Sequence, residues 1–310
     1  MKISFNRQNL LIVITLIIGT LSMTGCASTR ETATLTSLIG NNTFDTYVVS
    51  KIPNDEISIR TNVSNNSYFS ASPAGLIVGI FGKLIEKGVN KTNASNAEKR
   101  VTPLLESTAD IEFSRLFWEQ LEPALEQSDW LKVRQLDKRI LGLTAEETDN
   151  IVSPYMVLNT SFQLSECAQV LIVKTNASLY IHNNENNEEN PEYSNSYTYF
   201  SSIVGKNDEK DQEAIELWKA NNAEVYKAAL NEGIQQNITM IQRDLLKKST
   251  FFERGTANTM QVKFKDPFYD TKRKIKGRAI SRFDNRLIIQ DESGSLISLG
   301  NDLIINEKQL

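Results

Sequence analysis

Apolar positions recur with two periods along this chain, and the switches between them mark out its elements. Thr46 to Ile52 and Glu56 to Val63 read as two strands split by the turn Pro53-Asn54-Asp55. In the second, Ile57, Ile59, Thr61 and Val63 occupy every other position, as one buried sheet face requires. Tyr155 to Ser165 alternates through Met156, Leu158, Thr160, Phe162 and Leu164. Gln169 to Ile181 is denser. Leu171, Val173, Ala177, Leu179 and Ile181 share one face and Val170 and Ile172 the other, which predicts a central strand partly covered on both sides. Ser196 to Val204 adds Tyr197, Tyr199 and Ile203. The Asn- and Glu-rich stretch from His182 to Asn195 reads as a solvated hairpin loop.

Helical spacing replaces alternation in three places. Ala74 to Val89 carries Leu76, Ile77, Ile80, Phe81, Leu84, Ile85 and Val89 on one side, with Gly75, Gly79, Gly82, Lys83, Glu86 and Lys87 on the other. Its glycines would weaken an isolated helix by about 1 kcal/mol each, so such a helix needs a surface to pack on. Asn90 to Asn96 reads as an exposed loop. A long helix is expected from Asp110, an N-cap type, with the stripe Phe113, Leu116, Phe117, Leu121, Ala124 and Leu125. Pro123 lies in that stripe and is expected to kink or restart the helix. Trp130 to Val133 opens the next strand. A second main helix is expected from Asn222 as cap, with Val225, Ala229, Gly233, Ile234, Ile238, Ile241 and Leu245 inward and Lys247 and Lys248 closing it. Gly233 on the buried side lets that helix approach a sheet closely.

After Gly255 short strands follow: Met260 to Lys265, Lys276 to Phe283, Arg286 to Gln290 and Ser295 to Leu299, with Asp284-Asn285 and Asp291 to Gly294 as turns. The order predicts an α+β fold: a mostly antiparallel sheet with two main helices packed on one face, plus a small C-terminal β-appendage. The expected division is an α+β domain over 46–250 and the β-rich appendage over 257–310.

The N-terminus has a different logic. Lys2 and Arg7 precede an apolar stretch from Leu10 to Leu21, a basic segment and apolar core typical of a secretory signal. Leu21-Ser22-Met23-Thr24-Gly25-Cys26 follows and resembles the lipobox of bacterial lipoproteins, with Met23 where leucine is usual. The resemblance implies cleavage after residue 25, acyl chains on Cys26 and a polar tether over 26–45. More than one acyl chain gives stable anchoring. Ala27, rather than Asp, follows the cysteine, which implies sorting to the outer membrane with the body facing the periplasm.

The strand and helix order from about 45 to 248 is similar to the lipoprotein domains typified by the N-terminal domain of TolB and the curli secretion lipoprotein. Ala74-Gly75-Leu76-Ile77-Val78-Gly79, then Val89-Asn90-Lys91, then Trp130 also resembles a group of uncharacterised Gram-negative envelope lipoproteins. These resemblances imply a location in the envelope and no activity.

Charge and chemistry narrow the function. The formal charge of −4 becomes −6 once residues 1–25, which carry Lys2 and Arg7 and no acid, are removed. A mildly acidic body argues against nucleic acid as partner. With Cys26 acylated, Cys167 is the one free thiol, so no internal disulfide forms, and it reads as a small buried hydrophobe. The one histidine, His182, with one cysteine supplies no His/Cys zinc site, and metal ligands and cofactors are not expected beyond the lipid on Cys26. Neither a G-x-S-x-G elbow nor an S-x-x-K pattern nor a phosphate-binding glycine loop occurs. No catalytic residue is therefore assigned.

Two candidate contact sites remain. Leu76, Ile77, Ile80, Phe81, Leu84 and Ile85 could touch a membrane or partner, with Gly75 and Gly79 at close-packing spacing; the alternative is packing on the protein's own core. Lys272, Arg273, Lys274, Lys276 and Arg278, with Arg282 and Arg286 nearby, could touch an anionic surface; the alternative is a charged strand edge that resists aggregation. The expected function is a non-enzymatic lipoprotein that binds an envelope protein or peptidoglycan. The alternatives are a subunit of a membrane-inserted or secretion-related assembly using 74–89, and a carboxylate-dependent envelope hydrolase.

Overall fold

A computed structural model describes residues 43–60, 91–144, 146–147, 151, 154–181, 191–205, 211–246, 259–268, 271–283 and 285–310, without the side chains of 91–98 and 211. The signal segment, Cys26 and the amphipathic stretch 74–89 lie outside them. All described residues belong to one unit, Thr32–Leu310. The elements run β1 (Phe44–Lys51), α1 (Lys91–Ser107), α2 (Phe113–Glu126), β2 (Leu131–Arg139), β3 (Tyr155–Leu164), β4 (Leu171–Tyr180), β5 (Tyr193–Phe200) and α3 (Asp211–Ile241). A π-turn (Gln242–Leu246) extends α3, and β6 (Thr259–Asp266), β7 (Thr271–Phe283), β8 (Arg286–Asp291), β9 (Leu296–Gly300), a 3₁₀ turn (Asn301–Leu303) and β10 (Ile304–Gln309) follow.

The strands form a mixed, mostly antiparallel sheet in the order β10-β6-β7-β8-β9-β5-β4-β3-β1-β2. Parallel pairings join β1 to β2, β1 to β3 and β5 to β9. The helices share one core on one face. Val101 and Leu104 of α1, Phe113, Phe117 and Leu121 of α2, and Trp218, Tyr226 and Ile234 of α3 meet Leu158, Phe162, Val173, Ala177 and Tyr197. Phe113 stacks on Phe162 with ring centroids 4.0 Å apart. This is the α+β arrangement read from the chain.

β4 is covered on both faces, as its dense pattern required. Val173, Ala177 and Leu179 face the helices, while Val170 and Ile172 enter a second core with Phe200, Val262, Phe264, Ile289 and Leu299. The C-terminal strands build that second core and are also hydrogen-bonded into the sheet, with β9 against β5. A flat sheet would hold β5 and β6 about 19 Å apart across four strand spacings. Yet the Phe200 ring on β5 lies 6.3 Å from the Phe264 ring on β6. The sheet therefore curls over, and β10, entered through the 3₁₀ turn, returns to pair with β6.

Several elements depart from the sequence reading, each for a tertiary reason. The segment expected as a loop over 90–96 is the start of α1 from Lys91; α1 is held by packing on α3, which outweighs the low propensity of its Asn and Thr residues. Of the strand expected over 56–63, residues 56–60 hold only a bridge from Ile59 to Leu164, although Ile57 and Ile59 are both buried. α2 starts at Phe113 rather than after Asp110, because Asp55 caps it from the β1 loop. One Asp55 oxygen accepts the Ser114 N–H at 2.6 Å and the other the Ser114 hydroxyl at 2.9 Å. The helix continues through Pro123 to Glu126 without restarting.

α3 begins eleven residues before the expected cap and is interrupted at its middle. Asn221, Asn222 and Ala223 are left-handed, with φ of 52°, 60° and 59°, so Asn222 is a joint rather than an extended N-cap. Trp218 in the earlier segment is buried and donates its indole N–H to the Ala168 carbonyl at 2.6 Å. Past the break the expected stripe holds at Gly233, Ile234, Ile238, Ile241 and Leu245, while Val225 is exposed and Tyr226 and Leu230 take inward positions. β5 starts at Tyr193, inside the stretch expected as loop, and β7 starts at Thr271, five residues early.

Candidate functional site

The basic run predicted from the sequence lies on the β6–β7 hairpin, where strand alternation divides it. Ile275 and Gly277 face the second core and are buried, so Lys272, Lys274, Lys276 and Arg278 project from the other face. Lys272, Lys274 and Lys276 are exposed and Arg278 is half-buried. Antiparallel register places Lys265 opposite Lys272, Lys263 opposite Lys274, Gln261 opposite Lys276 and Thr259 opposite Arg278. β10 adds Lys308 opposite Gln261 on the same face. Lys263 and Lys265 were missed in the sequence reading. Their signal was the alternation Val262-Lys263-Phe264-Lys265, which places both lysines opposite the buried side of β6.

Arg273, Arg282 and Arg286 do not join this face. Arg273 takes the other parity and reaches the fully buried Asp266 carboxylate at 3.3 Å. Arg282 pairs with Glu307 on β10 at 2.5 Å and 2.6 Å. Arg286 is buried: its guanidinium lies 4.3 Å above the Tyr199 ring, 3.2 Å from Glu232, and donates to the Phe200 carbonyl. Arg286 therefore joins β8 to β5 and α3 and is part of the interior, a correction to its grouping with the surface cations.

The remaining face is lined by cations. Among the described residues, no Asp or Glu occupies a register position on it. Lys263, Lys272, Lys274 and Lys276 make no ion pair with a described residue. Two successive lysine pairs, Lys265 with Lys272 and Lys263 with Lys274, stand directly opposed, an arrangement that destabilises a sheet. β7 runs between β6 and β8, so its lysines guard no open edge. The chemistry such a surface offers is anion binding. No family model, curated protein or solved structure matches the chain.

Two polar sites lie beneath the surface. Asp244, in the π-turn, is half-buried, and one of its carboxylate oxygens accepts hydrogen bonds from the hydroxyls of Tyr193 and Tyr197 and the side-chain amide of Asn195. Burial pushes its pKa above the usual carboxylate range while these three donors pull it back. The same Asn195 amide donates to the Gly294 carbonyl at 3.0 Å, so the cluster joins α3, β5 and the β8–β9 turn. Carbonyls at the end of the π-turn are satisfied from outside: Leu245 by the Trp130 indole at 2.8 Å and Leu246 by the Ser128 hydroxyl at 2.8 Å.

On the far side of β4, Lys174 is half-buried and is pushed down to about 8 by desolvation, with Arg60 and Arg273 adding repulsion. Cys167 is half-buried rather than fully enclosed and lies 3.3 Å from the Ser165 hydroxyl. It lines a shallow depression with Gln169, Val170, Ile203, Lys265, Pro267 and Leu303. Its volume of about 10 Å³ has room for roughly one water, far below the ~300–1,000 Å³ of small-molecule sites. Among the described residues, no cluster of three or more His, Cys, Asp or Glu could hold a metal. None of the described helices is long and apolar enough to cross a membrane.

Proposed function

We propose that this protein is a non-enzymatic accessory lipoprotein of the outer membrane, anchored through Cys26, whose β6–β7 face holds an acidic component of the envelope. The observation that supports the reading is the pair of opposed lysine pairs, Lys265 with Lys272 and Lys263 with Lys274, in the interior of the sheet. Stability alone selects against like charges directly across a ladder. An anion lying over both strands turns each repulsive pair into a two-sided contact. A protein whose formal charge is −4 overall concentrates at least six cations there: Lys263, Lys265, Lys272, Lys274, Lys276 and Arg278.

Crosslinking in intact cells tests the reading. The parent chain and a Lys272→Glu/Lys274→Glu/Lys276→Glu variant are compared for covalent adducts, with palmitate labelling of Cys26 followed in both. The expected result is equal labelling, equal abundance and loss of the adducts in the variant. An unchanged set of adducts removes the face from the function, and absence of label from the parent removes the anchor.

A further inference from the structure

We infer that the acidic component met by the β6–β7 face is the phosphate-headgroup surface of an anionic lipid bilayer, an inference that rests on this face being a docking surface. The geometry is that of an array rather than a pocket. Successive outward residues on one strand are about 6.8 Å apart and the two strands about 4.8 Å apart. Lys272, Lys274, Lys276 and Arg278 therefore form a row about 20 Å long beside Lys263 and Lys265. Such an array makes its strongest contacts with many mobile anions spread in a plane, because each lysine can meet a separate headgroup.

The adjoining strand fits the same surface. β10 contributes Lys308 to the face, and Leu310, two residues on at the same parity, is 61% exposed. A large apolar side chain beside lysines matches the boundary between headgroups and acyl chains, where a lysine stem lies along apolar surface with its ammonium outward. An acyl anchor with a polybasic patch is a two-signal attachment. Each cation near an anionic leaflet raises partition about fivefold.

The test uses the full acylated chain in vesicles, so the anchor is constant in every arm. Cys167 is changed to Ser and Thr259, exposed on the array's own face opposite Arg278, to Cys carrying an environment-sensitive fluorophore. Quenching by a water-soluble ion is compared in phosphatidylcholine vesicles with and without 30% phosphatidylglycerol, roughly the anionic content needed for a surface potential of tens of millivolts. The expected result is several-fold protection of the label in the anionic vesicles only. High salt and Lys263→Gln/Lys272→Gln/Lys274→Gln/Lys276→Gln should each abolish it, and the same positions changed to Arg should restore it. Retained near-ultraviolet circular dichroism keeps misfolding of the Gln variant from counting as success. Equal quenching in both vesicles overturns the inference. If purified peptidoglycan or an acidic protein then protects the label in neutral vesicles, the docking reading stands without lipid as its target. If nothing protects it, both fall.

Discussion

Gly233 on α3 lies flat against the ring of Tyr199 on β5, so close that a Cβ built there would come within 3.0 Å of two ring carbons and 2.8 Å of a Val173 methyl. No side chain fits between this helix and the sheet, and both neighbours are fully buried. Gly233→Ala gains about 1 kcal/mol of helix propensity but overpacks the contact. We expect a net loss of roughly 1–2 kcal/mol, read as a lower urea midpoint with an unchanged slope. A midpoint equal to or above the parent's would mean that the layers separate freely.

Asp244 gathers three donors on one oxygen at the junction of α3, β5 and the β8–β9 turn. Asp244→Ala should cost roughly 3 kcal/mol, since two tyrosine hydroxyls and an amide lose a charged acceptor in the interior. The pH dependence has a definite sign. Burial raises the folded pKa, so the folded state retains a proton that the unfolded chain has released. This site's contribution is therefore fully present below the ordinary value near 4 and declines as pH rises through the folded pKa. Asp244→Asn should remove that decline, which thermal unfolding from pH 4 upward will show as a flatter profile than the parent's.

Lys174 produces the opposite slope. Its folded pKa of about 8 lies below the value of the unfolded chain, so the unfolded state binds the extra proton between them. Stability should rise as pH increases from about 8 toward 10.4, the ordinary lysine value. Lys174→Met should abolish this rise. A parent and variant with parallel profiles across that window would show that the ammonium escapes desolvation.

Arg286 lies between the Tyr199 ring and Glu232, and the Tyr199 hydroxyl donates to the other Glu232 oxygen at 2.7 Å. Arg286→Ala should cost roughly 2–3 kcal/mol through the lost carbonyl contact, the ring contact and the charge pair. Adding Glu232→Gln should then cost less than Glu232→Gln does alone, a coupling that a double-mutant cycle measures. Strictly additive losses would show that the two side chains act independently.

The cationic face was half legible. Lys272, Lys274, Lys276 and Arg278 were visible as a run of charge, but a run does not say which members share a side. Strand parity turns Arg273 to the other face, toward Asp266, and pairing partners seven and eleven residues earlier contribute Lys265 and Lys263. Arg286 shows the limit of such reading. Its sequence neighbours look solvated, and only the curl of the sheet encloses it beneath Tyr199 and Glu232.

Alternation and helical spacing alone determined the α+β class, the double-faced strand at β4 and the close approach at Gly233, because which side of an element is apolar is a property of neighbouring residues. Only the tertiary structure decided where α2 begins, since its cap is Asp55 from a distant loop, and that α3 extends back past a left-handed joint at 221–223, since Trp218 there is held by the Ala168 carbonyl. It also decided that the C-terminal strands continue the main sheet through β9 and β5. Local pattern fixes how much surface an element must bury, whereas the partner that buries it is chosen among segments far apart in the chain, and that choice is invisible until the sheet closes.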